Sequence, residues 1–147
     1  DTSGKVQYIY HPLFVSLTTN YKYNKLKEFC KKLPELDARI KSILKNKSNI
    51  LDRTYLIALM FRIMEKTHAR VGNDHYLSPS TEKSEISKDT KKSSYGLTTL
   101  NNEHITTRGS LVILDYVGKK GIQQHIEFRD NDIANDLKKI KKINKTR

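Results

Sequence analysis

The chain has 147 residues, of which 28 are lysine or arginine and 16 are aspartate or glutamate, a formal net charge of +12. This length suits one ordinary domain. The charge indicates a polyanion partner, although a merely solvated, lysine-rich surface would give the same count. The single cysteine excludes an internal disulfide framework and a cysteine-based zinc site. The longest apolar run, seven residues from Tyr55 to Phe61, is too short to cross a membrane.

The first part of the chain is predicted to contain a short strand followed by helices. Residues 6–10 alternate with aromatics and predict a strand that Pro12 breaks. An amphipathic helix is predicted over residues 21–33, with Cys30 as a small core residue. Its apolar stripe is formed by Leu26, Phe29, Cys30 and Leu33. Pro34 is expected to end this helix or begin a second one, which runs to about Lys45.

A third helix is predicted between Asp52 and Thr67. Asp52 is a suitable N-cap, and the segment is apolar on most sides, as in a helix at the centre of a helical domain. Its two methionines are interpreted as core residues. Arg70 follows the helix, where a rigid element would position its cation, although an arginine that caps the helix C-terminus is an alternative. Gly72 is expected to let the chain reverse direction.

The second half of the chain predicts a small sheet and a final helix. Residues 77–94 are rich in serine, threonine and lysine and are interpreted as a mobile insert. Three strands are expected, at 97–100 with a continuation at 104–106, at 111–117 and at 122–128. Gly118-Lys119-Lys120-Gly121 forms the turn of the last hairpin. A helix then begins near Asp130. The fold class is therefore α+β, mainly helical, with a three-stranded antiparallel sheet.

Several segments, in order, carry a resemblance to a known family. They are Gly4-Lys5-Val6-Gln7-Tyr8-Ile9-Tyr10-His11, Arg70-Val71-Gly72-Asn73-Asp74-His75-Tyr76, Ser94-Tyr95-Gly96-Leu97-Thr98-Thr99-Leu100 with His104, and Tyr116-Val117-Gly118-Lys119-Lys120-Gly121. Together these segments resemble the catalytic domain of type IB DNA topoisomerases of the small poxvirus and bacterial kind, from about residue 3 to about residue 140. The seventeen residues between Tyr76 and Ser94 are a departure, since the family has a shorter segment there.

The resemblance implies a reaction and residues for it. The family relaxes supercoiled duplex DNA through a transient 3′-phosphotyrosyl link, without ATP, metal or cofactor. It implies that Arg70 stabilises the transition state and that Lys119 is the general acid, whereas an ordinary surface lysine at a turn is the alternative for Lys119. Thr99 and His104 are interpreted as structural residues. Expected DNA contacts to the phosphate backbone and major groove come from Lys5, Tyr8, Tyr10, Asn73, Tyr76 and Lys120.

The resemblance also predicts the domain organisation. Residues 1–15 correspond to the end of the N-terminal β domain and a linker, and 16–147 to the front half of the catalytic domain. The chain is expected to be a fragment, incomplete at both ends, because it begins with Asp1 rather than methionine and no tyrosine lies in the context of the family's nucleophile. Alone it is expected to be inactive and monomeric, completed by a C-terminal half, and located inside the cell where DNA is. A tyrosine recombinase, a split enzyme and a non-catalytic DNA-binding module are the alternatives.

Overall fold

A computed structural model describes residue 6, residues 8–73 and residues 94–145 of the chain, with the side chains described to residue 143. The chain divides into two compact units, residues 1–39 and residues 40–147. The predictions for Lys5, for Tyr76 and for nearly all of the 77–94 insert lie outside the described residues. No helix in the described part is long and apolar enough to span a membrane.

The first unit contains most of one long helix, α1, which runs from Pro12 to Lys45. Proline is favoured at the first helical position, where its missing N–H is not needed. The ring nitrogen Nδ1 of His11 accepts a hydrogen bond from the backbone N–H of Leu13 at 3.2 Å and so caps this end. Val6 and residues 8–10 form no strand. The prediction of a strand at 6–10 is therefore wrong within the described residues.

Two further predictions for α1 are wrong. Pro34 lies inside the helix and separates no second helix from the first, because proline removes one backbone hydrogen bond and the flanking turns retain theirs. Cys30 is exposed, as are the apolar residues of the same stripe, including Phe29 at 52%. The reason is that the described part of the first unit contains no second helix or strand against which the stripe could pack.

Helix α2, Arg53–Thr67, confirms the predicted third helix. A carboxylate oxygen of Asp52 accepts hydrogen bonds from the backbone N–H groups of Thr54 at 2.9 Å and Tyr55 at 3.3 Å, so Asp52 is the N-cap. Buried residues of α2 are Tyr55, Ala58, Leu59 and Ile63. The two methionines pack against the core as predicted.

The sheet has three antiparallel strands in sequential order: β1 (Ile105–Arg108), β2 (Leu111–Val117) and β3 (Gln123–Arg129). Leu114 of β2 lies opposite Ile105 and Ile126. The three-stranded antiparallel sheet is confirmed, but the expected strand at 97–100 is wrong. Residues Leu97–Thr99 instead form a 3₁₀ turn, and Asn102–His104 form a second one.

Helix α3, Asn131–Lys145, covers one face of the sheet with α2. Asp130 caps its start, because its carboxylate accepts the backbone N–H of Ile133 at 3.1 Å. Val112 and Leu114 at the centre of β2 are fully buried between the two helices and the sheet. Residues packed there from the helices include Leu59, Ile63, Ile133, Ala134 and Leu137. The described fold is α+β and mainly helical, as predicted.

Candidate active site

Arg70 is held by the rigid end of α2. The helix ends at Thr67, and His68 adopts the left-handed conformation with φ 55° while its N–H donates to the Met64 carbonyl at 2.8 Å. His68 is therefore the helix cap, and the interpretation of Arg70 as a capping arginine is wrong. The next residue, Ala69, is buried. The Arg70 carbonyl accepts the N–H of Leu97 at 2.7 Å, whereas the residue itself is exposed.

The segments around Gly72 and Gly96 cross at very short range. A Cβ atom on Gly96 would lie 2.6 Å from both the N and Cα atoms of Gly72, and 2.8 Å from the carbonyl oxygen of Arg70. A Cβ on Gly72 would lie 2.3 Å from the Thr99 hydroxyl oxygen. The φ angle of Gly72 is not positive. Gly72 is therefore required for this close approach, and not for the chain reversal that the sequence predicts.

Threonine hydroxyls bind the backbone at this crossing. Thr98 Oγ1 accepts the Gly72 N–H at 3.0 Å and donates to the Gly72 carbonyl at 3.2 Å. Thr99 Oγ1 accepts the Gly96 N–H at 3.0 Å and donates to the Gly96 carbonyl at 3.1 Å. Such side-chain hydrogen bonds compete with a strand ladder, which explains why Leu97–Thr99 form a turn. The structural role expected for Thr99 agrees with its burial and these bonds.

The β2–β3 hairpin reaches the same place. The N–H of Tyr95 donates to the Val117 carbonyl at 2.8 Å, which connects residues 94–100 to the end of β2. The N–H of Gly118 donates to the Ile122 carbonyl at 2.8 Å and closes the five-residue tip. Lys119 and Lys120 stand in this tip, and Lys120 has a positive φ of 65°. The predicted lysine-bearing hairpin is thus present.

Arg70, Lys119 and Lys120 line one open cleft of about 420 Å³ within the second unit. The other lining residues are Thr67, His68, Ala69, Tyr95, Tyr116, Gly118, Ile122, Gln124 and Ile126. An adjoining hollow of about 350 Å³ is lined by the same three cations together with Asn73 and others. No carboxylate belongs to either lining in the described part of the chain. The cleft therefore attracts anions.

Tyr55 in the core and Tyr116 in the cleft lining are both buried. Burial raises the pKa of the Tyr116 phenol above its ordinary value. Burial and then the hydrogen bond to Asp136 raise the pKa of Tyr55. Tyr95 packs its ring 4.3 Å from the His104 ring, and His104 Nδ1 accepts the Asn101 N–H at 3.0 Å. The expected structural role of His104 agrees with these contacts.

Four of the predicted DNA contacts lie outside the described part of the second unit. Tyr8 and Tyr10 belong to the first unit, where both are exposed and their ring centroids lie 6.5 Å apart. Lys5 and Tyr76 are outside the described residues. No group of three or more histidine, cysteine, aspartate or glutamate residues suited to a metal ion occurs in the described ranges. His68 lines the cleft but was missed by sequence reasoning, because a capping histidine has no periodicity signal.

Comparison with known proteins identifies the family. The model of the family described as "Eukaryotic DNA topoisomerase I, catalytic core" matches residues 15–147. The chain belongs to this family. It is also similar to the DNA topoisomerase 1B of Acanthamoeba polyphaga mimivirus, with 22% identity over 143 residues that cover 97% of this chain and 38% of that protein. The chain thus spans less than half the length of that relative.

Membership of the topoisomerase I family confirms the resemblance carried by the sequence segments. The matched range includes the Arg70 segment, the glycine crossing and the Lys119 hairpin, and excludes Tyr8 and Tyr10. The viral relative agrees with the poxvirus-like character of the motifs. Family membership and the positively charged cleft are the two independent observations that bear on function.

Proposed function

We propose that this chain is the front part of a type IB DNA topoisomerase that relaxes supercoiled duplex DNA by transient cleavage of one strand. The proposal is supported by the cleft that Arg70 and Lys119 both line, whose described lining contains no carboxylate. This arrangement occurs in a chain of the topoisomerase I family. The energy of the broken phosphodiester is kept in a phosphotyrosyl bond, so the reaction needs no ATP. It needs no metal because cationic side chains of the protein stabilise the charge of the transition state.

Arg70 is proposed to stabilise the negative charge of the transition state in this reaction. The tyrosine hydroxyl loses its proton to water as its oxygen attacks the phosphorus, a new P–O bond forms to tyrosine, and the bond from phosphorus to the 5′-oxygen breaks. Negative charge accumulates on the nonbridging oxygens as this happens. A guanidinium is planar and permanently charged, and it can donate two parallel N–H bonds to two of these oxygens. Removing one such preorganised donor typically costs about 10²- to 10³-fold in rate.

Lys119 is proposed to protonate the leaving group. The 5′-oxygen departs as a hydroxyl only if it receives a proton, and the ammonium group at the hairpin tip supplies that proton. In religation the 5′-hydroxyl attacks the phosphotyrosine, returns its proton to Lys119 and releases the tyrosine oxygen, which takes a proton back from water. General acid catalysis of this kind contributes about 10²- to 10⁴-fold. The adjacent Lys120 is proposed as a phosphate contact.

DNA is bound mainly through its phosphates. Asn73 lines the hollow beside the cleft, and Lys5, Tyr8, Tyr10 and Tyr76 are proposed as further DNA contacts on the strength of the family resemblance. The net charge of +12 supports a binding mode dominated by counterion release. Affinity should therefore tolerate changes of DNA sequence and fall steeply as salt is raised.

The nucleophile is proposed to come from residues that this chain does not contain. Tyr55 and Tyr116 are buried, with their pKa raised by that burial. On the strength of the family resemblance, we propose that residues 1–15 are the end of an N-terminal domain with its linker and that residues 16–147 are the front half of the catalytic domain. The protein would act as a monomer wherever duplex DNA is present, such as a nucleoid or a viral factory.

Plasmid relaxation tests the proposal. The full-length gene product should relax supercoiled plasmid in EDTA without ATP, and SDS should trap a covalent protein–DNA adduct. Residues 1–147 alone should bind DNA without relaxing it. Arg70→Ala and Lys119→Ala should abolish relaxation, whereas Arg129→Ala and Lys139→Ala, exposed and outside the cleft lining, should leave it unchanged. A full-length protein that binds DNA but never forms an adduct would favour a non-catalytic DNA-binding module.

A further inference from the structure

Two residues other than glycine have a positive φ in the described part of the chain, namely His68 at 55° and Lys120 at 65°. Both line the cleft that contains Arg70 and Lys119. The left-handed conformation is unfavourable for residues with a Cβ atom and is usually taken by glycine. Such conformations cluster at functional sites. Lys120 already has a proposed role as a phosphate contact, and His68 has none.

The backbone around His68 is fixed on both sides. Its N–H donates to the Met64 carbonyl at 2.8 Å. The preceding Thr67 hydroxyl donates to the Ile63 carbonyl at 2.7 Å and accepts the N–H of Ala69 at 3.2 Å. Ala69 itself is 6% exposed and belongs to the core. The exposed imidazole therefore extends from an anchored point, as a binding residue needs.

The other described histidines of the second unit have their ring nitrogens engaged. His104 Nδ1 accepts the N–H of Asn101. His125 lies between Asp115 at 3.4 Å and Glu127 at 3.2 Å on the outer face of the sheet. The His68 ring has no hydrogen-bond or ion-pair partner within the described residues, and it stands in a lining that holds three cations and no carboxylate. An imidazole N–H placed there is suited to an anionic oxygen.

We propose that His68 is a further DNA-binding residue of this site, whose imidazole N–H donates to a nonbridging oxygen of a backbone phosphate in the cleft. This inference rests on the proposed function, because it takes the cleft to hold DNA. His68 forms a hydrogen bond that positions the strand against Arg70 and Lys119, and it transfers no proton in the reaction. A hydrogen bond to a phosphate fixes register without reading base sequence.

The test uses residues 1–147 and a short fluorescein-labelled duplex. Histidine ring signals are followed by ¹H–¹³C NMR as DNA is added, and the dissociation constant is measured by fluorescence anisotropy. His68→Gly removes the ring and keeps a residue that adopts a positive φ freely, so thermal unfolding should show no loss of stability. His125→Gln is the matched control on the outer face of the sheet. Each variant also assigns one histidine signal by its disappearance.

We expect the His68 signals to shift on DNA addition while the His125 signals stay in place. His68→Gly should raise the dissociation constant roughly five- to tenfold, the size of one lost hydrogen bond, and His125→Gln should not change it. The role of His68 is overturned if its signals shift no more than those of His125. It is also overturned if His68→Gly binds like wild type while Arg70→Ala and Lys119→Ala bind more weakly. If all three bind like wild type, the DNA cleft itself is wrong.

Discussion

Gly96→Ala is the substitution that most directly tests how the fold positions Arg70. Its new Cβ would lie 2.6 Å from two backbone atoms of Gly72 and 2.8 Å from the Arg70 carbonyl oxygen. Relief to an ordinary contact of 3.4 Å requires one of the two segments to move by about 0.8 Å. Backbone cannot rotate away as a side chain can, so the crossing itself must open.

The cost follows from what this opening disrupts. Overpacking in a close-packed region costs about 1–3 kcal/mol, and weakening the hydrogen bond from Leu97 N–H to the Arg70 carbonyl adds about 1 kcal/mol. We therefore expect Gly96→Ala to lower the free energy of unfolding by about 2–4 kcal/mol. Displacing the Arg70 backbone by this distance should also reduce the DNA cleavage rate of the full-length protein by about 10²-fold.

Urea denaturation of residues 1–147 measures the first effect, and trapping of the covalent adduct by the full-length protein measures the second. Gly109→Ala is the control, because Gly109 has φ +57° but a Cβ atom added to it would meet nothing within 4 Å. That control should cost about 1 kcal/mol of backbone strain and leave cleavage unchanged. A Gly96→Ala protein as stable as wild type, or one that loses stability but cleaves DNA normally, would show that the crossing does not position Arg70.

Three further predictions concern the core, the helix cap and the hairpin tip. Tyr55→Phe should lower the free energy of unfolding in urea by about 1–3 kcal/mol, because the phenol donates to the buried Asp136 carboxylate at 2.6 Å; unchanged stability would contradict this. Burial tends to raise the pKa of Asp130, but hydrogen bonds from Ile133 and Lys66 lower it, and the net result is a pKa below 3.8. The ionised carboxylate therefore stabilises the fold fully above pH 3.8, and this stabilisation is lost as the pH falls through the lowered pKa. The stability deficit of Asp130→Asn should therefore shrink on acidification below 3.8, and a pH-independent deficit would oppose the assignment. Lys120→Gly should stay within about 1 kcal/mol of wild-type stability. It should also make the plot of log binding constant against log salt concentration less steep by about 1, the effect of one lost phosphate contact. An unchanged slope would exclude that contact.

The second unit was largely predictable because its signals are local. Asp52 before an apolar segment predicted the start of α2, and the N-cap hydrogen bonds confirm it. The strand predicted at 111–117 has the bounds that β2 shows in the structure. The glycine-flanked lysines predicted the hairpin, and the structure brings Lys119 to the same cleft as Arg70. Hydrophobic periodicity and turn residues are enough to predict an element when the local preference of its segment agrees with the fold.

The failures have tertiary or contextual causes. Leu97–Thr99 has strand-like composition, yet its hydroxyl groups bind backbone groups. Thr98 binds Gly72, which is distant in sequence, and Thr99 binds Gly96, which is only three residues earlier, a spacing found in turns and not in strands. Pro34 is tolerated within α1 because the turns around it keep their hydrogen bonds. The Cys30 stripe has helical periodicity, but periodicity does not say whether a partner surface is present. The positive φ of His68 has no sequence signal at all.

We propose that Arg70 and Lys119 have separate roles at one phosphodiester, with Arg70 stabilising the transition state and Lys119 protonating the leaving group. A DNA substrate with sulfur replacing the bridging 5′-oxygen at the cleaved bond separates the two roles, since a thiolate leaves without needing a proton. The measurement is the rate of covalent adduct formation by the full-length protein on oxygen and sulfur substrates. We expect sulfur to restore cleavage by Lys119→Ala and to leave Arg70→Ala defective. Equal rescue of both variants, or of neither, would contradict it.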